Sequence, residues 1–237
     1  EVELGHLAQA QMVRGQLGAA PQTYQEALEA HAAGSTSPYV AFAHAGLGQL
    51  AYEWGELGLA RQHFETGLPM ALAWTHWETL CPLALGLARL HRRQGDLATA
   101  LSLLGSLPPN PLPNIQSLLE AYPALWAAED GNPGPAARWL ANHANAFQTE
   151  PRLTAVMSPL GEPLKLLGCR MLVTLGRPAE AIPLLQSLAA SAGPLGREYV
   201  LLQALVLLAR AEALAGQPEA AQTHLLQALH LAEPQGV

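Results

Sequence analysis

The sequence predicts an all-α solenoid of about six antiparallel helix pairs, and three observations carry that prediction. Six glycines, Gly15, Gly55, Gly95, Gly131, Gly176 and Gly216, are each followed five residues later by an alanine: Ala20, Ala60, Ala100, Ala136, Ala181 and Ala221. Successive glycines stand forty, forty, thirty-six, forty-five and forty residues apart, the period of paired-helix arrays. The composition is 50% hydrophobic but only 5% aromatic, dominated by Ala and Leu with few β-branched residues, which favours helix over strand.

Two further positions keep the same register. Seven residues before each glycine stands a small residue (Ala8, Gly48, Ala88, Ala124, Cys169, Ala209), and nine after it a large one (Tyr24, Phe64, Leu104, Leu140, Leu185, Leu225). The glycine is expected in a left-handed conformation closing the first helix of each pair. The small residues let the two helix axes approach, and the large residue fills the gap to the next pair. This order is similar to that of the tetratricopeptide repeat, which implies a right-handed superhelical solenoid with the first small residue on helix A and the alanine on helix B.

In order along the chain, the pattern predicts helix pairs over 2–14 and 17–33, 38–54 and 57–73, and 76–94 and 97–106. It continues with 114–129 and 134–147, 160–175 and 178–191, then 196–215 and 218–232. The whole of 1–237 reads as one domain, with repeats at 1–36, 37–74, 75–112, 113–150, 158–193 and 194–234. After the glycine, Leu17, Leu57 and Leu97 open the second helix in the first three repeats, and Pro133, Pro178 and Pro218 in the last three. Proline suits a first helical turn, where no intrahelical amide bond is lost. Pro69, Pro82, Pro123 and Pro183 fall inside helices and are expected to kink or shorten them. The connector LPPNPLPN, 107–114, is expected to shorten the third helix B, and 148–163 reads as a longer linker.

The charge excludes one class of partner. The chain has 19 Asp and Glu against 12 Lys and Arg, a net charge of -7, so it is not expected to wrap a phosphate backbone. Cys81 and Cys169 form no metal-binding or redox spacing, which reads as a reduced, cytoplasmic chain. No signal peptide opens the sequence, and the most apolar stretch, 199–214, is broken by Gln203, Arg210 and Glu212, so no membrane span is expected. The chain begins at Glu1 inside a helical pattern and reads as a segment of a longer protein.

Four stretches carry a more specific resemblance: AHAGLGQLAYEWGELGLARQHFETGL (43–68), LARLHRRQGDLATALSLL (87–104), LVTLGRPAEAIPLLQSL (172–188) and QALHLAEPQGV (227–237). With G-L-G-x-L-x-Y-E-W at 46–54 and the terminal L-A-E-P-x-G, they resemble the tetratricopeptide-like sensor region of MalT-type, LuxR-family, STAND-class ATP-dependent transcriptional regulators. The resemblance implies a bacterial, cytoplasmic domain that receives an inducer or a regulatory protein and controls self-association. It places ATP at an upstream module and DNA at a downstream one. No G-x-x-x-x-G-K-[ST] motif occurs in this chain, so no cofactor is expected within it.

Helix A lines the concave face of such arrays, and residues six before each turn glycine are expected to project into it: Gln9, Gln49, Arg89, Leu125, Arg170 and Arg210. Tyr52 with Glu53, and Arg92 with Arg93, flank that row. Arginine suits carboxylates, phosphates and sugar hydroxyls, so the row reads either as a ligand or partner groove or as the wet face of each helix A. Trp74, His76 and Trp77 cluster as WTHW at a repeat junction, open to aromatic contact with a ligand or to inter-repeat packing. Trp54 and Trp139 read as packing residues. Nine histidines show no i, i+3 or i, i+4 pair, so no metal site is expected. Glu26, Glu29, Glu53 and Glu78 are scattered, and no catalytic motif is present. The expected function is therefore binding, as a sensor domain or as a generic docking scaffold for a peptide or partner helix, and not catalysis.

Overall fold

The computed structural model describes residues 2–31, 37–109, 112–144 and 164–233. Within them the chain forms twelve α-helices in six pairs: α1 (Val2–Val13) with α2 (Ala20–Glu29), α3 (Pro38–Glu53) with α4 (Leu57–Trp74), and α5 (Trp77–Arg93) with α6 (Leu97–Gly105). The second half repeats the plan in α7 (Pro113–Glu129) with α8 (Gly134–Asn142), α9 (Leu164–Thr174) with α10 (Pro178–Ala192), and α11 (Glu198–Leu214) with α12 (Pro218–Ala232). The whole of the 148–163 linker, and with it the start of the fifth repeat, lies outside the described residues.

Every turn glycine of the register takes the conformation expected of it, with φ between 70° (Gly176) and 86° (Gly131). Each turn closes with the same two bonds. At Gly55, the glycine N–H donates to Tyr52 O (3.1 Å) and Glu56 N–H to Ala51 O (2.8 Å). These satisfy carbonyls that the end of the helix would leave bare. The five-on alanines from Ala20 to Ala181 are completely buried, while Ala221 in the last pair retains 8% exposure.

The packing differs from the sequence expectation in three places. Helix α2 begins at Ala20, not Leu17: residues 17–19 form a turn, because Pro21 has no N–H to bond the Leu17 carbonyl and close a first helical turn there. Pro69, Pro82, Pro123 and Pro183 all lie inside helices without ending them; the pairs packed around each helix hold it together where one amide bond is missing. The ninth-position residue Leu225 is exposed at 46%, because among the described helices α12 packs on α11 and nothing covers its other side. The third helix B is short, as its proline-rich connector predicts, at nine residues.

The large residue nine after each glycine is seated by glycines. A Cβ placed on Gly46 would stand 2.2 Å from the ring of Tyr24, and one on Gly86 2.4 Å from the ring of Phe64. Gly46 and Gly86 lie nine residues before the next turn glycine, so each aromatic ring of one repeat lies against bare backbone of the next. Phe64 is also flanked by Gly48 of its own repeat, where a Cβ would lie 2.5 Å away. In later repeats, where this large residue is Leu, the corresponding position holds Tyr122, Leu167 and Leu207.

The A helices form the inner layer. Successive A helices touch, α1 to α3, α3 to α5, α5 to α7, α7 to α9 and α9 to α11, and α11 then meets α1. Six pairs thus bring the array back to its start. At the closure Glu198 lies so close to Gly15 that a Cβ on that glycine would fall 2.8 Å from Glu198 Cβ. Tyr199 packs against the first-repeat core of Met12, Leu17 and Tyr24.

Candidate functional site

The ring of A helices collects its polar side chains where α3, α5 and α11 converge. Gln49 and Glu53 are one turn apart on α3, Arg89 lies on α5, and Tyr199 enters from the first turn of α11. Arg89 Nη1 donates to Gln49 Oε1 (3.4 Å), its Nη2 lies 3.8 Å from Glu53 Oε1, and Gln49 Nε2 donates to Glu53 Oε1. The guanidinium stands 4.2 Å from the ring centroid of Tyr52 and 6.0 Å from that of Tyr122, within cation–π range of both faces. Arg93 adds a second cation 5.4 Å from the Tyr52 ring.

Tyr199 completes this cluster from across the ring. Gln49 Nε2 donates to its hydroxyl at 3.5 Å, and the hydroxyl also hydrogen-bonds the Glu53 carboxylate. Burial, and next to it the negative charge of Glu53, push the Tyr199 phenol well above its ordinary pKa. The group is therefore a neutral hydroxyl that both donates and accepts. Residues 150 apart in sequence are joined here.

The other candidate groove residues are distributed around the ring. Gln9 is buried at 6% exposure and Leu125 at 1%, so these two belong to the packed interior of the helix layer, while Gln49, at 5%, is covered where Tyr199 meets it. Arg170 is half-buried on α9, and Arg210 is exposed on α11. Arg92 turns to the repeat boundary, pairing with Asp130 at 2.6 Å and Glu129 at 3.7 Å, a tie between the third and fourth pairs. Exposed pairs of this kind add little stability.

The structure separates the two tryptophans of WTHW. Trp77 is buried at 5% in the core of the second and third pairs, while Trp74 is 59% exposed. The intervening Thr75 takes a left-handed conformation (φ 49°) to turn the chain from α4 into α5. Trp139 is buried and donates its indole N–H to Ser117 O at 3.1 Å. Trp54 packs on the first-repeat core.

Three features were not read from the sequence. His44 on α3 and His63 on α4 meet with Nδ1 atoms 3.0 Å apart, a cross-helix pair that no spacing within one helix could reveal. Among the described residues no group of three or more His, Cys, Asp or Glu is gathered as for a metal ion. A cavity of about 820 Å3 lies between α10, α11 and α12, lined by Leu201, Leu205, Leu208, His224 and Leu226. A second, of about 780 Å3, opens where the short α6 and α8 leave α7 uncovered, lined by Leu104, Leu119, Pro123, Trp139 and His143. Cys81 and Cys169 are buried, and burial raises both thiols to about 12, so neither is a nucleophile. No helix among the described residues is long and apolar enough to cross a membrane.

Compared with known protein families, the sequence matches the one described as the MalT-like TPR region, over residues 2–237. No curated protein matches it significantly.

Proposed function

The chain belongs to the MalT-like TPR family, and from that premise we propose that it is the signal-receiving repeat domain of a MalT-like, LuxR-family transcriptional regulator. Its inner face binds an inducer or a regulatory protein, and occupancy controls self-association of the longer protein. It works in the cytoplasm and carries neither the ATP module nor the DNA-binding module. The observation that carries this reading is the contact of Tyr199 with Gln49 and Glu53. A molecule seated on the α3–α5 part of the inner face competes with α11 for the same groups, so binding and the closure of the array are coupled.

The experiment is calorimetric titration of a metabolite panel into this chain, with small-angle scattering before and after. Saturable binding accompanied by an increased radius of gyration supports the sensor; saturable binding with no change in shape refutes the coupling. A docking scaffold is the second reading, favoured by the exposed Leu225, Leu226 and Leu229 on α12. It predicts peptide or helix binding at that end with no small-molecule response.

A further inference from the structure

The groups around the Tyr199 hydroxyl specify a ligand chemistry. Glu53 presents an acceptor, Gln49 Nε2 presents a donor, and the Glu53 charge is balanced by Arg89 at 3.8 Å. A hydroxyl satisfies both neighbours at once, since it donates to the carboxylate and accepts from the amide. A carboxylate in its place would face Glu53 with like charge. An ammonium would face Arg89 and the Gln49 amide hydrogens, and would have nothing to accept with. The ring behind the hydroxyl packs on the apolar first-repeat core of Met12, Leu17 and Tyr24, a setting that suits a flat aromatic ring.

We propose that the α3–α5 surface formed by Gln49, Tyr52, Glu53 and Arg89 is a binding site for a small neutral phenolic ligand, and that Tyr199 is its resident occupant in the closed array. A free phenol takes the place of Tyr199, releases α11 from α1 and opens the ring. The biological use of this site rests on the sensor reading. Its selectivity is a property of the chain by itself and is measured without any inducer.

The test is replacement of the occupant. Tyr199→Ala removes the phenol and leaves a vacancy of the same shape, which p-cresol, the tyrosine side chain as a free molecule, is expected to fill. Thermal unfolding and calorimetry then compare p-cresol, toluene and 4-methylbenzoate on Tyr199→Ala and on the unmodified chain. The expected result is saturable p-cresol binding to Tyr199→Ala, tenfold or more tighter than toluene, with no 4-methylbenzoate binding. Binding to the unmodified chain is weaker by tenfold or more, because Tyr199 competes there. Equal affinity for toluene and p-cresol, or no p-cresol binding by a folded Tyr199→Ala, overturns the proposal. Should Tyr199→Ala not fold, Tyr199→Phe gives a second reading: with the hydroxyl gone, p-cresol competes with a weaker occupant and should bind tighter than to the unmodified chain. An unchanged p-cresol affinity overturns the proposal equally. Failure of the p-cresol experiment leaves the metabolite titration free to succeed at another part of the ring, so the two readings fail separately.

Discussion

The seating of Phe64 between glycines yields a mutation whose sign depends on its background. In Gly86→Ala the new methyl carbon would lie 2.4, 2.6 and 2.7 Å from Phe64 Cζ, Cε2 and Cε1. The ring has little room to retreat, because it also lies against Gly48, 2.5 Å from a Cβ placed there. Overpacking of this kind costs about 1–3 kcal/mol, and replacing a mid-helix glycine by alanine returns about 0.5–1 kcal/mol. Gly86→Ala should therefore destabilise the chain by about 1–2 kcal/mol, a fall in Tm of about 2–8 °C at this size.

Phe64→Leu removes the obstruction. It costs less than the ~3–5 kcal/mol of Phe→Ala, and on that background Gly86→Ala is expected to stabilise by about 0.5–1 kcal/mol, the helix term alone. The coupling across the double-mutant cycle is then about 1.5–3 kcal/mol. The assay is urea unfolding followed by both circular dichroism and tryptophan fluorescence, because repeat arrays can unfold in parts and two probes reveal it. Stabilisation by Gly86→Ala in both backgrounds would refute the seating of the ring and leave only helix propensity.

Three further outcomes follow from the structure. Ala60 is completely buried at the α3–α4 crossing, and Ala60→Leu should cost roughly 1–3 kcal/mol by overpacking; an unchanged urea midpoint would contradict the crossing. Gly95 has φ 82° with no atom near its missing Cβ, so Gly95→Ala should cost about 1 kcal/mol from the backbone alone, whereas Thr75→Gly at φ 49° should gain about 1 kcal/mol; thermal melts showing the two shifts with the same sign would refute this. Burial, then the neighbouring His63, lowers His44 to about 4 from an ordinary value of 6.5. The unfolded chain thus binds a proton between those values that the folded chain refuses, and stability is complete above pH 6.5 and falls as pH drops towards 4. Partial exposure of the ring reduces the effect to about 1–2 kcal/mol, and His44→Gln should flatten the dependence by that amount in melts between pH 4 and 7.

The fold was legible because its determinants are local. A turn glycine needs a left-handed backbone whatever surrounds it, and all six recurring glycines adopt one. Misread elements are those where local chemistry was ambiguous. Leu17 stands where a helix opens in the next two repeats, yet it stays in a turn, because Pro21, four residues on, has no N–H for the Leu17 carbonyl. Thr75 shows the converse, a β-branched residue in a conformation that its type disfavours, imposed by the packing of α4 against α5. The pairing of a large aromatic with a glycine in the following repeat was present in the sequence, as Tyr24 with Gly46 and Phe64 with Gly86. It becomes visible only when positions are compared between neighbouring repeats, because the complementarity crosses the boundary.

The candidate site was legible only as far as one repeat reaches. Counting back from each glycine selects Gln49, Tyr52, Glu53 and Arg89, which the structure brings into one network. The same count also selects Leu125, which is buried in the core, and Arg210, which is exposed on α11, so register alone does not define a site. Tyr199 stands seventeen residues before its turn glycine, at the first turn of its helix. Its approach to Gln49 is the sum of the small rotations accumulated over six pairs, which no single repeat encodes. A difference of a few degrees per pair would carry α11 past α1 and leave Glu53 and Gln49 facing solvent. Closure therefore depends on every inter-pair contact. A ligand that displaces Tyr199 needs to overcome only the contacts of α11 with α1 and α3, while the six helix pairs remain intact as the ring opens.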